Sequence, residues 1–167
     1  SAVRFNRMDQ IFGAICRGLI MPGKKRSGIA EFLELTEQLI NENPDHLFWK
    51  GISTGGTWGH SDGLESEALY IAIRAWCNGD SEIQLLVEDW LSKPWDYGSS
   101  RKMLYEELVG NHRLGFSDPR EQFEFYRDGI LSFANKGHRQ SWLALKDINR
   151  IAIKAGLGGL VILFDEF

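Results

Sequence analysis

At residues 155–167 the chain reads AGLGGLVILFDEF. The part from Leu160 to Phe164 is continuously apolar, with Gly158-Gly159 before it and Asp165-Glu166 after it. A strand that is covered on both faces of a parallel sheet has this composition, whereas a strand with one face in water alternates apolar and polar residues. The stretch therefore predicts a buried β-strand over about 159–166.

The rest of the chain has the periodicity of α-helices. Apolar residues recur every three or four positions, which places them on one face of a helix. Seven helices are predicted, over about residues 5–19, 29–40, 64–76, 83–91, 101–109, 119–133 and 142–155. Together they predict a mainly α fold: one domain over 1–167, helical to about 157 and ending in the single strand.

Start and stop signals support several of these boundaries. Asn43-Pro44 is expected to end the second helix, and Asn135-Lys136-Gly137 to separate the sixth helix from the seventh. Asp62, with Glu65 three residues later, predicts a capping box at the start of the third helix. Asp118 followed by Pro119 predicts the start of the sixth.

Two adjacent carboxylates directly after an apolar strand form the Walker B arrangement. In an open α/β sheet, ligands bind beyond the carboxyl ends of the strands, which is where Asp165 and Glu166 would lie. Mg²⁺ prefers oxygen ligands and keeps much of its water shell, so Asp165 is the predicted metal ligand. Glu166 is the predicted catalytic base, which orients and deprotonates the water that attacks the γ-phosphate.

Three stretches of the sequence carry a resemblance to a known family. They are FNRMDQIFGAICRGLIMP at 5–22, the region 107–126 with FSDPR at 116–120, and AGLGGLVILFDEF at 155–167. Read together, nearly the whole chain resembles the ATP-binding-domain family of bacterial BREX phage-defence systems, P-loop proteins related to the AAA-type ATPases. The resemblance implies ATP and Mg²⁺ as cofactors of the full-length parent, which would hydrolyse ATP, and other defence-system proteins or self-association as its partners.

The chain departs from that family at the phosphate-binding loop. The signature GxxxxGK[ST] is absent, and the glycine-rich stretch 51–63 has no lysine after its glycines. In the family this loop precedes the first helix seen here, so the sequence is expected to be a fragment that carries Walker B without Walker A. Alone, the fragment is expected to bind no nucleotide and to be inactive. The stretch 51–63 is left with two interpretations, a surface turn or a cradle for an anion at the start of the next helix.

Composition and charge bear on three other classes: nucleic-acid-binding, metal-binding and membrane or secreted proteins. The net charge of −4 gives no overall attraction for nucleic acid, although residues 1–26 carry six basic residues against Asp9 alone. The four histidines have no metal-ligand spacing, and the two cysteines are expected to be free thiols. No leader-like segment or membrane-length apolar run is present, which predicts a cytoplasmic location without membrane contact.

Two alternatives to the ATPase remain at the level of the sequence. The first is a non-enzymatic helical protein-interaction module, in which Asp165-Glu166 is only an acidic turn. The second is a helical nucleic-acid adaptor that uses the basic residues within 1–26.

Overall fold

The computed structural model describes residues 6–46, 63–94 and 119–164, and in the last range it describes side chains from residue 137 onward. These parts are mainly helical, which confirms the predicted class. Five helices are present in them: α1 Met8–Gly18, α2 Ile29–Glu42, α3 Glu67–Asn78, α4 Ser81–Ser92 and α5 Pro119–Lys154. The predicted helix over 101–109 lies outside the described residues.

The apolar core surrounds α3. Nine consecutive residues of this helix, from Ala68 to Trp76, are buried, so it has no solvent-facing side over that length. A helix that is covered all round is a central helix. It packs against α5, α4 and α2, while α1 lies against α5 and α4. Phe12 of α1 and Phe32 of α2 are among the largest fully buried side chains of this core.

The predicted sixth and seventh helices are one helix, α5, so the predicted break at Asn135-Lys136-Gly137 is wrong. A glycine within a helix costs only about 1 kcal/mol relative to alanine, which tertiary packing outweighs. Gly137 faces α1, where a Cβ added to it would lie 3.6 Å from the Cβ of Asp9. Its carbonyl also accepts a hydrogen bond of 2.5 Å from the Ser141 hydroxyl.

The start of α3 also differs from the prediction. Ser66 is the N-cap, and its hydroxyl accepts a 3.1 Å hydrogen bond from the backbone N–H of Leu69. Glu65 precedes the helix and pairs instead with Lys146 of α5, Nζ to Oε2 2.8 Å. The proposed cap Asp62 lies outside the described residues. The boundary is set by the local cap of Ser66, together with the contacts that Ser66 makes with Asp147 and Gln140 of α5.

The predicted terminal strand is not seen in the residues that the structure describes. Residues 158–164 belong to no helix and pair with no strand of the described parts, and Asp165 and Glu166 lie outside them. The physical reason is that a strand needs a neighbouring strand for its backbone hydrogen bonds. The described parts contain only an isolated bridge between Ile20 and Ser27.

Candidate functional site

The candidate site is the segment that leads into Asp165-Glu166. We call residues Leu160–Phe164 the apolar segment. Both predicted site residues, Asp165 and Glu166, fall just beyond the described residues, so the structure places neither of them. What it does place is the turn before the apolar segment, the segment itself and the helices beneath it.

The turn begins where α5 ends. Gly156 has φ 82°, a left-handed conformation that glycine adopts without steric cost. Its N–H donates to the carbonyl of Ile153 at 3.0 Å, and the N–H of Leu157 donates to that of Ala152 at 3.0 Å. This pair of hydrogen bonds is the Schellman motif, which reverses the chain at a helix end. The turn sends the following residues back along α5.

A second glycine and Asn149 hold the start of the apolar segment. The Asn149 side-chain oxygen accepts a 2.8 Å hydrogen bond from the backbone N–H of Leu160. Gly159 has φ 118°, and a Cβ added there would lie 2.8 Å from the same Asn149 oxygen. The conformation of residue 159 favours glycine, and a Cβ there would displace the Asn149 side chain that holds Leu160. The contact fixes where the segment leaves α5.

Side chains of the apolar segment alternate between packed and exposed. Leu160 and Ile162 pack against the core, whereas Val161 is 78% exposed and Leu163 is 87% exposed. This period of two is that of an extended backbone. Phe164 is also exposed, at 54%. The segment thus has one apolar face on the helices and a second apolar face towards solvent.

An open apolar cavity of about 710 Å³ lies between the apolar segment and the helices beneath it. Its lining comes from the C-terminal half of α1, the turn after it, Phe32 of α2, and Ile148 and Ala152 of α5. None of the lining side chains carries a charge. The cavity lies beneath the backbone that leads to the two carboxylates, and its chemistry suits apolar side chains rather than a phosphate.

A buried carboxylate on the same helix was missed by the sequence analysis. Asp147 of α5 is fully buried, and its carboxylate accepts hydrogen bonds from the backbone N–H groups of Ser66, at 2.7 Å, and of Glu65, at 2.9 Å. The Gln140 side-chain oxygen accepts from the Ser66 hydroxyl at 3.2 Å. These contacts satisfy backbone donors just ahead of α3 from another helix. No sequence spacing signals such a cap, since the partners are 81 residues apart.

Burial dominates the electrostatics of Asp147. Desolvation raises the pKa of this carboxyl, and the amide hydrogen bonds from Ser66 and Glu65 and the charge of Arg150 offset only part of the rise. Arg150 lies one helical turn along, with Nη1 3.5 Å from Oδ1 of Asp147. At the surface nearby, the hydrogen bond from Lys146 lowers the pKa of Glu65.

The contact of Asp147 with Glu65 and Ser66 bears on the anion-cradle interpretation of residues 51–63. The backbone N–H groups of Glu65 and Ser66, which would face an anion there, already bind the chain's own carboxylate. Residues 51–62 lie outside the described residues. In the described part of this region, the helix start is a packing contact between α3 and α5.

The basic residues near the beginning of the chain are largely paired within it. Arg7 binds Asp9 at 2.5 Å, Arg26 binds Glu31 at 3.0 Å, and Arg17 donates to the carbonyl of Ser92. The ion pairs of Arg7 with Asp9 and of Arg26 with Glu31 offset part of the positive charge that could meet phosphates. Among the residues that the structure describes, no group of His, Cys, Asp and Glu side chains is arranged to hold a metal ion.

No helix in the described ranges has the length and apolar character needed to cross a membrane. No known protein family, curated protein or solved structure matches the chain.

Proposed function

We propose that this chain is the part of a P-loop ATPase that supplies the Walker B carboxylates. The observation that supports the proposal is the apolar segment, which is apolar on both faces and stands immediately before Asp165-Glu166. One face packs against the helical core and the other is exposed. Removing apolar side chains such as valine and leucine from water is favourable. Both faces are therefore expected to be covered in the full-length protein, as in a parallel sheet.

In this proposal the two carboxylates divide the chemistry. Asp165 binds Mg²⁺, which when present neutralises charge on the phosphate oxygens. Glu166 accepts a proton from water as the water oxygen bonds to the γ-phosphorus and the bond from that phosphorus to ADP breaks. The Schellman turn at Gly156 and the contact of Asn149 with Leu160 position the start of the apolar segment, which leads to both groups in the sequence.

The resemblance to the BREX ATP-binding-domain family supports the wider part of the proposal. On that basis the whole protein couples ATP hydrolysis to a conformational change within a bacterial defence system, together with other proteins of that system. The 167 residues contain no Walker A signature, so a phosphate loop has to come from elsewhere in the protein or its assembly. The chain by itself is expected to bind ATP negligibly.

The proposal is tested with Asp165→Asn and Glu166→Gln in the natural polypeptide that contains these residues. Asp165→Asn should raise the Mg²⁺ concentration needed for half-maximal turnover, because one charged ligand is lost. Glu166→Gln should spare ATP binding and stop hydrolysis. Glu82→Gln, which changes an exposed carboxylate in the first turn of α4, is the matched control and should change neither.

One observation favours a second candidate, the non-enzymatic interaction module. Val161, Leu163 and Phe164 are exposed apolar side chains on one segment, and exposed apolar patches often mark protein interfaces. The two candidates predict different effects of substituting the carboxylates. An interaction module would lose partner binding on Leu163→Lys and would be indifferent to Glu166→Gln.

A further inference from the structure

The composition of the apolar segment does not determine which of its faces lies on the core. All five residues are apolar, and two glycines precede them at 158–159. A slip of one residue moves every side chain of a strand to the opposite face, and a difference in polarity between the faces is what normally prevents it. The segment has no such difference, yet Leu160 and Ile162 pack against the core while Val161 is 78% exposed. A contact outside the segment therefore has to select this arrangement.

Asn149 of α5 makes that contact. Its side-chain oxygen accepts the 2.8 Å hydrogen bond from the Leu160 N–H, whereas the next three residues form no hydrogen bond with any described residue. If the chain slipped so that Val161 met Asn149, Leu160 would take the position of Gly159, where φ is 118° and a Cβ lies 2.8 Å from the Asn149 oxygen. The opposite slip would put Gly159 in the place of Leu160 and remove a leucine from the packing. Asn149 and Gly159 together thus favour one register over both of its neighbours.

We propose that Asn149 is a positioning residue, which fixes the register of the apolar segment and thereby the roles of the two carboxylates. The catalytic part of this inference rests on the proposed function. Adjacent residues of a strand point to opposite faces, so Asp165 and Glu166 would serve opposite sides. A slip of one residue would exchange those sides and move both groups by about 3.3 Å along the strand. A misplacement of about 1 Å already costs about 100-fold in rate. Asn149 touches neither reactant and acts through the backbone of Leu160.

The first test reads the register of the 167-residue chain by thiol labelling. Val161→Cys places a thiol on the exposed face and Ile162→Cys places one on the core face, so the first should react at least about fivefold faster. Adding Asn149→Ala should lower this ratio about threefold or more, because a hydrogen bond that selects the register is lost. Adding Asn149→Asp instead keeps an acceptor oxygen and should preserve the ratio. Burial raises the pKa of the native Cys16 thiol and raises that of Cys77 to about 12, so both react slowly.

Asn78→Ala is the matched control for the labelling. The Asn78 side chain also bonds a backbone group, donating to the Arg74 carbonyl at 2.8 Å, but it lies at the end of α3. This substitution should leave the labelling ratio unchanged. A ratio that survives Asn149→Ala, or that Asn78→Ala lowers equally, overturns the inference.

The second test uses the natural polypeptide and separates this inference from the proposed function. Asn149→Ala should lower turnover at saturating ATP and Mg²⁺ about tenfold or more while ATP binding is retained, and Asn149→Asp should restore most of it. Asn78→Ala should change neither quantity. If Glu166→Gln stops hydrolysis but Asn149→Ala does not slow it, the positioning role is wrong and the Walker B assignment stands. If the unmodified polypeptide hydrolyses no ATP, the proposed function is wrong and the catalytic role of Asn149 falls with it, whereas the labelling ratio still decides whether Asn149 sets the register.

Discussion

Replacing Asp147 with alanine removes the acceptor for two backbone N–H groups at the start of α3. The loss of an N-cap acceptor costs roughly 0.5–2 kcal/mol, and a buried donor left unsatisfied costs roughly 1–3 kcal/mol. Ser66 is buried, so the larger range applies to its N–H. Removing a buried charge returns part of the cost, because burial already disfavours the carboxylate. The net expectation is a destabilisation of about 2–3 kcal/mol at neutral pH.

Comparing Asp147→Asn with Asp147→Ala separates the hydrogen bonds of this side chain from its charge. One carboxylate oxygen, Oδ2, accepts from both Glu65 and Ser66, and an asparagine oxygen at that position keeps both hydrogen bonds. The expected net change at neutral pH is within about 1 kcal/mol, because removing a buried charge offsets the lost contacts of Oδ1 with Arg150 and with the Glu65 N–H. Asp89→Ala is the control, since that partly exposed carboxylate has an ion pair of 3.4 Å with Lys93 and its loss should cost under about 0.5 kcal/mol.

The assay is urea unfolding followed by tryptophan fluorescence, with the free energy of unfolding from linear extrapolation. Equal losses for alanine and asparagine would show that the shared oxygen is not what matters. A loss for Asp147→Ala as small as that for Asp89→Ala would refute the trans-helix cap altogether.

Asp147 also makes the stability of the folded chain depend on pH, in a direction that follows from its raised pKa. Burial raises the pKa of Asp147 in the folded protein above the ordinary value of 3.8, so the folded state holds this proton more tightly than the unfolded chain does. The stability that Asp147 contributes is therefore full below about pH 3.8 and falls as pH rises through the higher folded value. From about pH 4 to pH 7, the unfolding free energy of the unmodified chain should fall relative to that of Asp147→Asn. A relative rise over this range would mean that the amide hydrogen bonds outweigh burial.

Two further predictions concern glycines of α5 and its end. Gly137→Ala should stabilise the chain by about 0.5–1 kcal/mol in urea unfolding, because Gly137 is helical and the added Cβ meets only an ordinary 3.6 Å contact; destabilisation would indicate a break in α5. Gly156→Ala adds the same methyl where φ is 82° with nothing within 4 Å, and should cost about 1–2 kcal/mol, so the two substitutions should have opposite signs. Gly159→Ala should move the apolar segment off Asn149, seen as faster amide hydrogen exchange at Leu160 than in Gly158→Ala, and equal exchange in both would contradict the contact.

Local signals in the sequence predicted some boundaries well and others poorly. Asn43-Pro44 predicted the end of α2 correctly, because Asn43 is its C-cap. The break predicted at Gly137 failed because contact with α1 outweighs a helix cost of about 1 kcal/mol. The capping box of Asp62 and Glu65 was not the start of α3, since the Ser66 cap there is held by α5. Propensity describes the neighbours of a residue in sequence, and these differences came from its neighbours in space.

The same distinction between neighbours in sequence and neighbours in space applies to the candidate site. Composition alone marked the segment before Asp165-Glu166 as apolar on both faces and predicted its burial, whereas Val161 and Leu163 are exposed in the structure. The predicted strand did not form in the described residues because pairing depends on a second strand. Asp147 could not be predicted, because its partners at the start of α3 are separated from it by 81 and 82 residues.

The central claim is that Glu166 is the base of an ATPase, and steady-state ATP hydrolysis tests it most directly. The natural polypeptide that contains these residues would be compared with its Glu166→Gln and Glu82→Gln variants, each with and without Mg²⁺. The account predicts Mg²⁺-dependent turnover in the unmodified protein and in Glu82→Gln, and a loss of roughly 100-fold or more in Glu166→Gln with ATP binding retained. Turnover that survives in Glu166→Gln, or an unmodified protein that neither binds nor hydrolyses ATP, would contradict it.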